Sequence, residues 1–440
     1  MNKKMRINTV EDLLEQGRAA RAASRVLARL STDVKNRALL NIAEGLENHQ
    51  EEVLAANEKD CLAARGDGLN EAMLDRLLLT AERLQEVAHD VRSVAALPDP
   101  VGEALDMMTT PNGLRVGKRR VPLGVIGSIY ESRPNVTIDI SVLCLKSGNA
   151  CLLRGGKESL HSNTALAGLT RDAISRAGVP ADAVQFVDNP DRSLVDAMLG
   201  MKEYIDLLIP RGGDGLIRFV AEHAAMPAIT GGIGVCHTYV DRGAKMDMAA
   251  NIVFNAKVQR PTVCNALDTV LVHADVAPTF LPRIVQELAA AGVELRCDHR
   301  ALTILGPTPL PSLPGEAVPQ SGRVVPATEE DWGREFLSLI AAVKVVDSLD
   351  EAMSHIETYG SGHSEAIITE DYTAALRFLD EVDAAAVFVN ASTRFTDGAQ
   401  FGLGAEVGIS TQKFHARGPM GLRELTSYKW VIMGDGQVRE

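Results

Sequence analysis

From about residue 120 onward the chain alternates short, unbroken apolar runs with stretches of helical periodicity. VPLGVIGSIY (121–130), ACLLR (150–154), AVQFV (183–187) and IDLLIP (205–210) lack the alternation of a half-exposed strand. Helical stretches follow residue 130 and recur near 159–177 and 192–200. Strands that are apolar on both faces are covered on both faces, and helical crossovers between them impose parallel pairing. The pattern predicts a doubly wound α/β sheet, which takes its ligands at the carboxyl ends of its strands. A second α/β series starts near 250, with candidate strands DTVLVH (268–273), VELRC (293–297), LSLIAAVKVV (337–346), EAIIT (365–369) and AAAVFVN (384–390). Residues 11–96 read as helices instead: Leu13, Ala20, Ala23, Leu27 and Leu30 form one stripe, Leu39, Ile42, Leu46 and Val53 another, and Leu84, Val87, Val91 and Val94 a third. Residues 305–330 are proline-rich and aperiodic, as expected of a long loop, either an insertion or an active-site cover.

Charge and cysteine usage narrow the function. A net charge of -13 argues against a general nucleic-acid binder but leaves room for a small anionic substrate held by local arginines. The six cysteines, at 61, 144, 151, 236, 264 and 297, show neither CxxC nor zinc-finger spacing, so reduced thiols are expected. The N-terminus MNKKMRINTVEDLL has no apolar signal core, and no run approaches the ~20 apolar residues of a membrane span. A cytoplasmic chain with no membrane and no nucleic-acid partner is expected.

QRPTVCNA (259–266) is the most informative segment. Cys264 follows the helical stretch 246–258 and precedes a strand, which suits a thiol near a helix end in a cleft between two domains. Thiolate is the reactive form, so such a cysteine needs an electropositive setting. Most intracellular cysteines are small core residues, and spacing alone leaves both readings open.

The surrounding segments carry a resemblance. The Gly231–Gly232 pair, the helix after it and Cys264 resemble the aldehyde dehydrogenase superfamily, and IYESRPNV (129–136) resembles the segment bearing its oxyanion asparagine. That match makes Asn135 the asparagine, which would stabilise the oxyanion together with the Cys264 N–H. YGSGHSEAI, within 346–367, is similar to the signature of the gamma-glutamyl phosphate reductase family. KSGNACLLRGGKES (146–159), IDLLIPRGG (205–213), GVCHTYVD (234–241) and residues 390–422 support it. The resemblance implies NADPH-dependent reduction of L-glutamate 5-phosphate to the 5-semialdehyde and phosphate, the second step of proline biosynthesis. It implies a thioester on Cys264, substrate supplied by a glutamate kinase, and a homo-oligomer.

Further expectations follow from the match. In LLRGGKE, Arg154 stands at the family's Lys position and Lys157 at its carboxylate position; two cations and no acid favour a 2′-phosphate, hence NADP(H). Glu335 matches a glutamate that meets the nicotinamide ribose, and Arg211, Gly212 and Gly213 follow a strand where a phosphate would sit. Arg133, Arg394, Asp397 and Arg417 are candidates for the substrate's charged groups; His363, Ser364 and Glu365 have no assigned role. Ile229 occupies the position where hydrolytic relatives carry a glutamate base. The domains expected are 1–255 binding NADP, with flap strands near 110–124; 256–412 catalytic; and 413–440 returning to the oligomerisation region, including 427–437. Two other readings stay open, a different aldehyde-dehydrogenase-type or acyl-coenzyme-A-reducing enzyme, and a catalytically silent binding module.

Overall fold

The computed structural model describes residues 9–229, 231, 233–306 and 323–439. Most of the expected 305–330 loop, and Gly232, lie outside the described residues. The chain forms two compact units: Met1–Thr230 with Gly402–Gly408 and Pro419–Glu440, and Gly231–Phe401 with Ile409–Gly418. The boundary therefore falls at 230/231 rather than 255. The reason is the strand Cys236–Val240, which hydrogen-bonds to strands on both sides in the second sheet. Likewise residues 402–408 already belong to the first unit, whereas 409–418 still belong to the second.

In the first unit, the helical reading of 11–96 resolves into α1 (Val10–Leu27), α2 (Thr32–Asn48), α3 (Gln50–Gly66), α4 (Glu71–Leu77) and α5 (Ala81–Ala96). Thr9, Ser31, Asn70 and Thr80 cap four of them, each side chain accepting a backbone N–H of the first turn. The predicted stripes are the buried faces: Leu13, Ala20 and Leu27 on α1, Leu39, Ile42 and Leu46 on α2, Leu84, Val91 and Val94 on α5.

The expected run 121–130 is two strands. β1 (Ala104–Thr109) and β2 (Arg115–Pro122) form a hairpin, and after a break at Leu123 and Gly124 comes β3 (Val125–Tyr130). β2 also pairs antiparallel with the C-terminal strand Thr426–Met433, so the flap is a three-stranded sheet of both segments. β3 joins β4 (Ala150–Gly155), β5 (Val184–Phe186) and β6 (Leu207–Arg211) in a parallel sheet ordered β5-β4-β3-β6. Between β3 and β4 runs α6 (Val136–Lys146), buried on nearly every side, which is why its sequence shows little amphipathic contrast. Asn135, Arg154 with Lys157, and Arg211 to Gly213 all come at the carboxyl ends of these strands.

In the second unit seven strands are parallel: β7 (Cys236–Val240), β8 (Leu267–His273), β9 (Glu294–Cys297), β10 (Val324–Pro326), β11 (Ile340–Val346), β12 (Ser364–Ile368) and β13 (Ala386–Val389), ordered β10-β9-β11-β8-β7-β12-β13. β8 and β12 are buried along their whole length, as the unalternating runs required, and so is β7, which the runs did not predict. No helix among the described residues is long and apolar enough to cross a membrane.

Asp206 joins three elements of the first unit. Its carboxylate accepts from Val125 N at 2.7 Å and from Arg21 of α1 at 2.6 and 3.0 Å. Gly124, at φ 132°, leaves no room for a Cβ against it. Asp206→Ala strands a backbone N–H and a half-buried guanidinium, and is expected to destabilise the first unit by about 2 kcal/mol; a fall in its calorimetric unfolding temperature measures this.

Candidate active site

The Cys264 loop connects helix Met246–Val258 to β8 within the second unit, and each of its ends is held by a buried charge. Lys257, in the last turn of the helix, donates to Leu267 O at 2.8 Å and lies 3.8 Å from Asp268. Asp268, in the first turn of the following strand, accepts from Cys236 N at 3.3 Å and from Phe336 N at 3.0 Å. Burial pushes the Asp268 carboxyl up to about 6 and the Lys257 ammonium down to about 8. Between those values both are ionised, and each charge offsets the other's desolvation.

Asp268 is one of four anchors on consecutive backbone N–H groups. Gly234 N donates to Glu335 at 3.0 Å, Val235 N to Ser361 at 2.9 Å, Cys236 N to Asp268, and His237 N to Glu365 at 2.8 Å. The ladder between β7 and β8 shifts register between Cys236 and His237, so side chains satisfy donors that a regular sheet would pair. This segment lies directly against Cys264. The Cys236 thiol donates to Cys264 O at 3.2 Å. A Cβ on Gly234 would fall on Cys264 O and 2.6 Å from Cys264 Cβ.

The far side of the loop is fixed by residues 393–396. Thr393 donates to Asn265 O at 2.8 Å, and Asn265 donates to Thr396 O at 2.9 Å. Arg394 donates to Gln259 at 2.8 Å and also bonds Asn265. Burial, then the neighbouring Arg260 charge, lowers the Arg394 guanidinium from its ordinary value, and the Cys264 thiol lies within its field. All six cysteines are thiols; five are buried and Cys264 alone is half-buried. Burial raises Cys236 and Cys297, disfavouring their thiolates.

The family signature now has a structural role. Ser361 and Glu365 hold Val235 and His237, and the Glu365 carboxylate also lies 3.0 Å from His237 Nδ1. His363 meets Ser364 at 2.8 Å, which meets Thr396 at 2.7 Å. Burial pushes His363 down to about 4, so it is neutral at pH 7. These residues hold the backbone around Cys264.

The first unit carries Asn135 as the N-cap of α6, its amide donating to Asp139 at 2.9 Å. Arg133 and Arg211 both act electrostatically on Asp139. Arg154 donates to Pro190 O at 2.9 Å, and its buried Nε has no protein partner. The turn itself ends in an acid, Glu158, and Lys157 pairs with Asp67, just past α3, at 3.3 Å; burial lowers the Arg154 guanidinium and the Glu158 charge opposes it. Gly213 N donates to Glu131 at 3.0 Å, so a carboxylate sits where a phosphate was expected, and Gly212 packs on the same side chain. Ile229 is buried, its N–H bonded to Leu208 O at 2.8 Å where residues 227–229 run parallel beside β6.

Of the substrate candidates, Arg417 is paired with Asp383 at 2.6 Å and Asp397 caps its own turn through Ala399 N at 2.9 Å. Arg394 clamps the Cys264 loop. Sequence reasoning missed Lys257, Asp268, Gly234, Cys236 and Asp139. Charged residues inside apolar runs, as in LDTVLVH and VTIDISVL, were the available signal for the two aspartates. Among the described residues no cluster of three or more His, Cys, Asp or Glu side chains could hold a metal.

The model of the aldehyde dehydrogenase family matches residues 3–308. This chain belongs to the aldehyde dehydrogenase family. It is 59% identical over 428 residues to a gamma-glutamyl phosphate reductase of Dehalococcoides mccartyi (strain CBDB1), covering 97% of this chain and 98% of that one. A gamma-glutamyl phosphate reductase of Proteus mirabilis is 55% identical, with 97% and 100% covered. The crystal structure of gamma-glutamyl phosphate reductase from Thermotoga maritima superposes with a TM-score of 0.92 at 49% identity, covering 97% of this chain and all of that one. An acetylating aldehyde dehydrogenase of Geobacillus thermoglucosidasius, 17% identical with 98% of each chain covered and a TM-score of 0.70, shares the fold. The chain is an oxidoreductase that uses a nicotinamide cofactor on a small-molecule substrate.

Gly234→Ala forces a methyl group into the Cys264 backbone. Turnover is expected to fall about a hundredfold while the folded state persists, because a displacement near 1 Å at a reacting group costs that much. Paired kinetic and circular-dichroism measurements check both parts.

Proposed function

We propose that the chain reduces L-glutamate 5-phosphate to L-glutamate 5-semialdehyde and phosphate, the second step of proline biosynthesis, with NADPH as reductant and Cys264 as nucleophile. The activity is that of its full-length relatives at up to 59% identity. The observation supporting Cys264 is its setting: the one half-buried thiol, on a loop anchored at both ends, in the field of Arg394.

The thiolate of Cys264 attacks the acyl carbonyl, and the carbon–oxygen bond to phosphate breaks, its electron pair leaving with phosphate. The product is a thioester, which splits one difficult reduction into two easier steps. The nicotinamide, when bound, supplies hydride to the thioester carbon. Collapse of the resulting thiohemiacetal returns the electron pair to Cys264 sulfur and frees the aldehyde. Asn135 and the Cys264 N–H stabilise the oxyanion, a contribution of about 3 kcal/mol for each such donor. Arg394 favours the thiolate, and Arg133, close to Asn135 in the chain, is a cation for the substrate's anionic groups. Glu335 binds the nicotinamide ribose while steadying Gly234. The apolar Ile229 replaces a general base, which spares the thioester from hydrolysis.

Arg154 and Lys157 hold the ribose 2′-phosphate. The buried, unpartnered Arg154 Nε fits an anion, and Lys157 is held only by an exposed pair, which is weak. Arg211, Gly212 and Gly213 contact the dinucleotide phosphates once Glu131 moves aside. Residues 1–230 with the C-terminal segment serve as the nucleotide-binding part and 231–401 as the catalytic part. One face of the three-stranded flap exposes Met108, Tyr428, Trp430 and Ile432, an apolar face suited to a homo-oligomer contact. A cytoplasmic location and a supplying kinase complete the reading.

Cys264→Ser is expected to abolish reduction and leave nucleotide binding intact, since a hydroxyl is far less ionised than a thiol at neutral pH. Turnover above about a tenth of the parent's would move the nucleophile to another residue. Lys157→Glu is expected to narrow or reverse the preference for NADPH; an unchanged ratio of kcat/KM for the two cofactors removes Arg154 and Lys157 from the 2′-phosphate site.

A further inference from the structure

The first turn of α6 holds a carboxylate that none of these roles uses. Asp139 sits one turn after Asn135 in a helix otherwise rich in buried apolar side chains. Asp139 itself is half-buried, so its carboxylate has lost part of its hydration; the side-chain bond it makes is with the Asn135 amide, 2.9 Å from Nδ2 to Oδ2. Three charges bear on it: Arg133 from the turn before α6, Arg211 from the end of β6, and Asp90 from α5.

Resting on Asn135 as the oxyanion donor, we propose that Asp139 is a positioning residue whose carboxylate fixes the Asn135 amide, so that one N–H is held by Asp139 and the other is presented to the acyl oxygen. An amide has a donor end and an acceptor end of nearly equal shape. A carboxylate accepts only, so it selects the nitrogen end. A protonated carboxyl carries a donor as well as an acceptor, so the nitrogen end is no longer selected and the amide is free to turn and offer an Oδ1 lone pair to a developing negative charge. Ionised Asp139 is thus the active form.

Burial first, and then the Asp90 charge, raise the Asp139 carboxyl, while Arg211, the Asn135 bond and Arg133 oppose them; the balance is about 7. Because the ionised form is active, the contribution is present above that value and lost as pH falls through it. The exchange therefore lies in the neutral range.

Steady-state kinetics from the semialdehyde, phosphate and NADP+ between about pH 5.5 and 8.5 test this with four proteins: the parent, Asp139→Asn, Asp139→Leu and Asn135→Ala. Asp139→Asn carries a donor and an acceptor and cannot titrate, like the protonated carboxyl; it is expected to hold kcat near the parent's acid-limb level at every pH and to lose the limb near 7. Asp139→Leu is expected to lower kcat about tenfold or more with little change in KM, as for an interaction felt in the transition state. In an Asn135→Ala background, Asp139→Leu is expected to cost nothing further, because the two act as one unit. An unchanged acid limb in Asp139→Asn, or additive losses in the double variant, overturns the proposal. The two failures separate cleanly: Asn135→Ala with parental kcat removes the oxyanion reading itself, whereas a slow Asn135→Ala beside a parental Asp139→Leu removes only the role of Asp139.

Discussion

The carboxylate of Asp268 is the constraint on which the second unit depends. It accepts from two backbone N–H groups, of Cys236 and Phe336, and faces the ammonium of Lys257. Those partners come from three separate stretches of chain, and all of them border the Cys264 loop. A buried charge of this kind costs several kcal/mol unless every lone pair and proton is used. The energetic penalty for losing any partner is therefore large, and that penalty makes the geometry of the loop unique.

Around this centre the backbone from Gly234 to His237 is held by side chains. Gly234 and Val235 precede the strand, and the register shift after Cys236 interrupts the ladder with β8, so these four N–H groups turn to side chains. Glu335, Ser361, Asp268 and Glu365 take them up. Gly234 can then approach Cys264 more closely than any side chain permits. Rigidity of this kind suits a nucleophile that must meet an acyl carbon in one orientation. In the first unit the same economy recurs on a smaller scale, where Asn135 and Asp139 occupy a single helical turn.

Much of the fold was legible. Unalternating runs became parallel strands, and the helix over 246–258 has the predicted bounds. The strand Cys236–Val240 was missed because HTY gives CHTYV no continuous apolar run; His237 and Thr238 are buried there through Glu365 and the sheet rather than through hydrophobicity. That strand moved the domain boundary from 255 to 230. In LLRGGKE the positions of Arg154 and Lys157 carry no acid, and the pairing of Lys157 was not legible because Asp67 is 90 residues away in the chain.

The sequence by itself determined the class of fold and the family, and it singled out Cys264 as the candidate thiol. These depend on local periodicity and on contiguous motifs such as QRPTVCNA and YGSGHSEAI. Only the tertiary structure decided what surrounds them. Arg394, an arginine among several in the sequence, is the clamp on Cys264, whereas Arg417 is occupied by Asp383. Lys257 and Asp268 lie only 11 residues apart yet gain their meaning from Cys236 and Phe336, distant in sequence. Side-chain chemistry fixes which groups can bond, but burial and the convergence of separate strands decide which of those bonds form and how strongly each charge is felt.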